Sequence, residues 1–154
     1  MRSWLLCLWL STAVAVAGEK TVIVVWPFED VSFLPAQGTG SEEIGELSME
    51  LLTAALVRNP AIDVVERQQL AKILEELNLS CSGLADKDAC LKVGRIVGAR
   101  KMVFGSYFLV GGQVNLLVRR VDVETSEIEK ILDRSTPQDR LPEVLDEIAT
   151  AIIE

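Results

Sequence analysis

Asp63-Val-Val-Glu-Arg-Gln-Gln-Leu-Ala-Lys-Ile-Leu-Glu-Glu-Leu77 runs from a short apolar strand through a polar corner into an amphipathic helix. Ile62 to Val65 is the strand. Over Arg67 to Leu77, the residues Leu70, Ile73, Leu74 and Leu77 recur three and four apart, which makes one apolar stripe of a helix. A strand feeding directly into a helix is the repeating unit of α/β domains.

Upstream, Thr21 to Trp26 is a nearly continuous apolar run rich in β-branched residues and closed by Pro27. Such a run predicts a strand buried on both faces, in the middle of a sheet covered by helices. A loop over 31–40 follows, and Thr39 or Ser41 can cap a helix with Glu42 and Glu43 in its first turn. Ile44, Leu47, Leu51, Leu52 and Ala55 form the stripe of that helix, and Asn59-Pro60 stops it.

Downstream, a third helix is expected from a cap at Asp86 to Gly98, with Ala89, Val93, Ile96 and Val97 facing the core. From Lys101 the period changes. Met102 to Val110, Gly111-Gly112 and Gln113 to Val123 read as a hairpin, because two glycines supply the positive φ of a two-residue turn. Glu124-Thr125-Ser126 is a second turn before a polar edge strand from Glu127 to about Asp133, whose charges discourage edge pairing. Pro142 sits in the first turn of a last helix carrying Leu141, Val144, Leu145, Ile148 and Ile152 on its inner face. The order is strand, helix, strand, two helices, three strands, helix. This predicts an α/β domain, a mixed β-sheet packed with helices in two or three layers, with the strand order undetermined.

Residues 1–17 carry Arg2, an apolar run from Trp4 to Val16 and the small residues Ala15-Val16-Ala17, the pattern of a secretory signal cleaved after Ala17. An uncleaved anchor is the alternative, but the run is shorter than the roughly 20 residues a spanning helix needs. Cys7 lies within the run, after Trp4-Leu5-Leu6, and does not fit a lipid-acylation site. Residues 18–154 then form a single domain exported to the periplasm, for which 49% hydrophobic residues suffice to fill one core. In that oxidising compartment Cys81 and Cys90 are expected to form a disulfide, in preference to free thiols; the pair lacks the Cys-x-x-Cys spacing of a redox dithiol. The net charge of −8 disfavours nucleic acid and anionic lipid as partners.

The chain has no histidine, which removes the commonest general base and the commonest transition-metal ligand. The acid pairs Glu29-Asp30, Glu42-Glu43 and Glu75-Glu76 suit solvated surfaces better than an acid and base pair, since neighbouring residues on a helix point apart. Gly38-Thr39-Gly40-Ser41 lacks the lysine of a phosphate-binding loop, and Asp86-Lys87-Asp88 lacks the glycine and distal glutamate of a calcium loop. Accordingly no catalytic residue, cofactor or metal is assigned. Trp26, Phe28 and Phe33, around the exit of the first strand, are candidate partner anchors, with a core role the preferred reading. Glu66 and Arg67 are further candidates, with helix capping or a local ion pair as the default.

The Val64-Val-Glu-Arg67 corner, Val97-Gly-Ala-Arg-Lys-Met-Val-Phe-Gly-Ser106 and Val121-Asp-Val-Glu-Thr125 together resemble the CsgG-like family of bacterial envelope proteins. Its relatives include the amino-terminal domain of TolB and lipoprotein activators of penicillin-binding proteins. Where relatives continue the last motif with a glycine and an acid, this chain has Ser126-Glu127. The resemblance spans residues 20–128. It implies an anticodon-binding-domain-like sandwich, no enzymatic activity, and a periplasmic accessory role in curli assembly, secretion or other envelope construction. It also implies an envelope protein partner, a homo-oligomer as a candidate assembly, and outer-membrane association through that partner. Pore formation by this chain alone is disfavoured, because the segment Met102 to Val123 is needed for the sheet and carries Arg119-Arg120. A periplasmic carrier of a small ligand or glycan fragment is the alternative, and a hydrolase working through carboxylates comes third.

Overall fold

A computed structural model of the chain describes residues 20–32, 41–78 and 87–154. The expected signal at 1–17, Phe33, the helix caps Thr39 and Asp86, and Cys81 lie outside the described residues.

Strand β1 (Thr21–Val25) is followed by β2 (Glu29–Asp30), helix α1 (Ser41–Val57), β3 (Ile62–Val64), α2 (Arg67–Glu76) and α3 (Lys87–Ile96). Then come β4 (Lys101–Val110), β5 (Gln113–Asp122), β6 (Ile128–Pro137), a single 3-10 turn over Gln138–Arg140 and helix α4 (Leu141–Ile153). The sheet has six strands in the order β3-β1-β4-β5-β6, with β2 also alongside β4. β1 is parallel to β3 and β4, whereas β4, β5 and β6 are antiparallel neighbours. This is the expected mixed α/β sheet, with helical crossovers early and hairpins late.

Each strand face has its own core. Ile23, Val25, Val103, Leu116 and Val118 pack with Leu52 and Leu56 of α1 and with Leu145, Ile148 and Ile152 of α4. Val24, Trp26, Met102, Phe104 and Val121 pack with Leu70 of α2 and with Cys90, Leu91 and Val93 of α3. The domain is thus three layers, α1 and α4, sheet, α2 and α3. The β4–β5 turn has Gly111 at φ 58° and Gly112 at φ 76°, the geometry that matches the twist of a two-residue hairpin.

Several boundaries differ from expectation. β2 is an added strand: Pro27 lacks the N–H that would continue β1, so the chain breaks its pairing there and resumes two residues later, with Glu29 opposite Ser106. β6 runs on to Pro137 rather than stopping near Asp133, because its polar residues stay in register with β5 as far as Gln113. Leu47 is exposed, since the inner face of α1 centres on Ile44, Ser48, Leu52 and Leu56, about 120° around the helix from it. Leu77 and Ile96, expected inside, are also exposed, each at the end of its helix where the turn lifts away from the sheet.

Candidate functional site

The corner that decides the fold also borders an apolar concavity. Because β3 is the outermost strand and α1 lies across the sheet face beside it, a groove of about 590 Å³ opens between them. Met49, Ala54, Val57, Pro60, Ile62 and Val64 supply its apolar wall, and Glu50, Asp63, Glu66 and Arg67 its rim. Asn59 shapes the floor: its N–H donates to the Leu56 carbonyl, its side-chain oxygen accepts from the Ala61 N–H, and its carbonyl accepts from Ile62.

Two ion pairs bridge separate elements at the rim. Arg67 donates to Glu46 of α1 at 2.6 Å, and Lys20 donates to Asp63 of β3 at 2.8 Å. All four side chains are about half exposed, so each pair contributes at most about 1 kcal/mol and acts mainly to fix position. Glu66 occupies the N-cap position of α2 with extended backbone, but no side-chain cap bond forms; its carbonyl accepts from Gln69 and Leu70 instead. Of the two corner residues, Arg67 makes the expected ion pair and Glu66 presents a free-standing carboxylate at the groove. Glu50 and Glu66 leave the rim acidic.

The aromatic candidates go elsewhere. Trp26 is 2% exposed, stacked on Phe104 at 6.4 Å with an interplanar angle of 8° in the α2 and α3 layer. Phe28 is 5% exposed and sits on the opposite sheet face, over Gly105 and under Gly45 of α1. These two rings close the cores on either side of the Pro27 break, and as placed neither reaches a partner. Cys90 is fully buried in the second core.

At the start of β4 lies a charge network that was not visible in the sequence. The register shift between Arg120 and Val121 turns Glu129 onto the α4 face, where it meets Lys101 and accepts from Arg120 Nε at 3.0 Å. Lys101 also donates to Asp122 at 2.8 Å, and Arg120 donates to the Ile152 carbonyl at the C-terminal end of α4. That last contact places a cation where helix carbonyls are unsatisfied. The Lys101 ammonium, with the Thr125 and Glu124 N–H groups, holds the Asp122 carboxyl well below its ordinary value. Burial lowers the Lys101 value, but its bonds to Asp122 and Glu129 outweigh this and raise it.

The sign follows for each group. Asp122 contributes stability fully above its unfolded value near about 4 and loses it as pH falls further. Lys101 contributes below its ordinary value of 10.5 and loses the contribution as pH rises through its raised one. Asp122→Asn is therefore expected to cost about 1 kcal/mol at pH 7 and to flatten the acid limb below about pH 4. Urea midpoints at neutral pH and along that limb measure both; an unchanged acid limb would sink the assignment.

Among the described residues no three or more Cys, Asp and Glu side chains converge as metal ligands would, and no helix is long and apolar enough to cross a membrane. Among the described residues the groove offers an apolar wall, the outer edge of β3 and an acidic rim. That chemistry suits recognition.

Comparison with known families bears directly on this. A family model described as the curli production assembly/transport component CsgG matches residues 11–109, well over half of the chain. The chain belongs to the CsgG family. Comparison with curated proteins by sequence gives no match. Among solved structures, the LpoB C-terminal domain from Salmonella enterica superposes with a TM-score of 0.65 at 22% identity, covering 80% of this chain and 87% of that one. TolB from Acinetobacter baumannii gives 0.60 at 12% identity, covering 88% of this chain and 28% of that longer one. Lipoprotein GNA1162 from Neisseria meningitidis gives 0.56 at 16% identity, covering 87% and 97%. At these identities the likeness is one of fold. It places the CsgG-family domain here on the scaffold that the sequence motifs implied.

Proposed function

We propose that this CsgG-family protein is a non-enzymatic accessory protein of the cell envelope that works by binding another protein, and that the groove between α1 and β3 is one of its docking sites. The observation that carries the reading is the composition of that groove: an apolar wall beside the edge of β3, rimmed by Glu50, Glu66 and the Arg67–Glu46 pair. An extended segment can lie along such an edge, taking affinity from main-chain contacts and selectivity from wall and rim. Family membership supports the envelope setting, and a signal over residues 1–17 would deliver the domain to the periplasm.

Ala54 is exposed on the groove wall, so Ala54→Arg should leave folding intact while filling the groove. In affinity capture from envelope extracts, wild type is expected to retain a partner that Ala54→Arg loses by about tenfold or more. Identical capture by both proteins would remove the groove from the proposal. The groove's volume also falls in the range of small-molecule sites, which supports the second reading, a carrier of a small ligand or glycan fragment. Thermal stabilisation by glycan fragments, abolished by Ala54→Arg and unaccompanied by any captured protein, would favour it.

A further inference from the structure

The sheet is covered unequally. On the face carrying α2 and α3, those helices pack over β1 and the first half of β4, in the core that includes Trp26, Met102 and Phe104. Among the described residues no helix packs over the rest of that face, across the second half of β4, β5 and β6, although Ser106 is buried there. Register places Phe108 opposite Asn115, Phe104 opposite Arg119, and Arg119 in turn opposite Ile131. Phe108 is 40% exposed, Ile131 57% and Val110 61%, with Leu117 partly buried between them. Strand pleating puts these side chains on one side, with Leu117 next along β5 from Arg119, Asp133 on the same face opposite Leu117, and Phe108 and Val110 further toward the Gly111-Gly112 turn.

Arg119 stands within this apolar surface, partly buried, with its Nε fully enclosed and lacking any hydrogen-bond partner. Its neighbour Arg120, on the opposite face, shows the ordinary solution, with Glu129 and the Ile152 carbonyl as acceptors. An N–H drawn out of water without an acceptor is destabilising, and a carboxylate arriving with apolar groups would give the Arg119 guanidinium a charge-assisted partner.

From this geometry we infer that the open face of β4–β5–β6 docks an apolar segment of a partner protein carrying one Asp or Glu that pairs with Arg119. The charge distribution selects that occupant. A net charge of −8 repels phosphate-rich polymers and anionic lipid surfaces, which leaves a protein carboxylate as the fitting anion. The chain's own apolar stretch 1–17 contains no acidic residue. This surface is separate from the groove at β3, so the two proposals stand or fall independently.

The test uses the full chain in the cells that produce it, with Phe108 replaced by the photoreactive residue benzoylphenylalanine. Light is expected to join it to another protein at a peptide in which Asp or Glu lies among apolar residues. Adding Arg119→Met should lower the adduct yield by about tenfold or more, while the purified variant melts at the same or a higher temperature, since a buried N–H without an acceptor has been removed. Arg119→Glu should abolish the adduct, and changing the partner's mapped acid to Arg should restore it. The inference is overturned by absence of an adduct, by a second copy of this chain as the joined protein, or by a joined peptide without an acid. It is equally overturned by undiminished yield with Arg119→Met, or by a lower Tm for that variant, which would make the guanidinium structural.

Discussion

Gly105→Ala is expected to destabilise the domain by about 1–3 kcal/mol, and more if the core cannot shift. A Cβ at residue 105 would lie 2.2 Å from Phe28 Cδ1 and 2.3 Å from Cε1 and Cγ, far inside contact distance. The backbone of the same residue is held as well: α1 passes close at Gly45, where a Cβ would meet the Phe28 carbonyl oxygen at 2.4 Å. Residue 28 is thus gripped between two glycines, one on β4 and one on α1, and this clamp holds the short β2 segment against the sheet. If that is the cause, Phe28→Leu, costly alone, should make Gly105→Ala less harmful, with a coupling of about 0.5–3 kcal/mol in a double-mutant cycle. Urea denaturation of the four proteins, read as midpoints at constant slope, decides it. Strict additivity would mean that the ring is not what Gly105 accommodates.

That clamp shows what the sequence does and does not disclose. Gly105-Ser106 stands out as part of a family motif, yet the partner that requires the glycine sits 77 residues earlier and becomes visible only when β2 is seen beside β4. Regular elements with one uniform period, such as β1, the Gly111-Gly112 hairpin and α4, were legible because local pattern and burial agree there. Leu47 misled because apolar residues on α1 exceed the width of its buried stripe, and nothing local ranks them. The groove was half legible. Glu66 and Arg67 mark the corner, but Ala54 and Val57 become its wall only because β3 is outermost, and strand order is a long-range property. Arg119 and Arg120 read alike as adjacent cations. Pleating sends them to opposite faces, and the register shift that aims Glu129 at Arg120 alone leaves Arg119 unpaired.

Ile148→Ala should be the most damaging of the simple truncations, lowering stability by about 2–5 kcal/mol. Ile148 is 0% exposed on α4 and belongs to the same core as Leu52 of α1, so removing its methyl groups opens a cavity where two helices and the sheet meet. Against a typical total of about 5–15 kcal/mol, such a loss takes a large share of the molecule's margin. Ile131→Ala removes the same atoms from β6 but on the open face, and its expected cost is within about 0.5 kcal/mol. Denaturant midpoints separate the two substitutions without reference to any partner. The contrast also governs how binding data are read: a partner lost with Ile148→Ala follows from unfolding, whereas one lost with Ile131→Ala at unchanged midpoint follows from the surface itself. Equal destabilisation by both would show that the β4–β5–β6 face is packed against part of the chain, and would withdraw the open face from any role in docking.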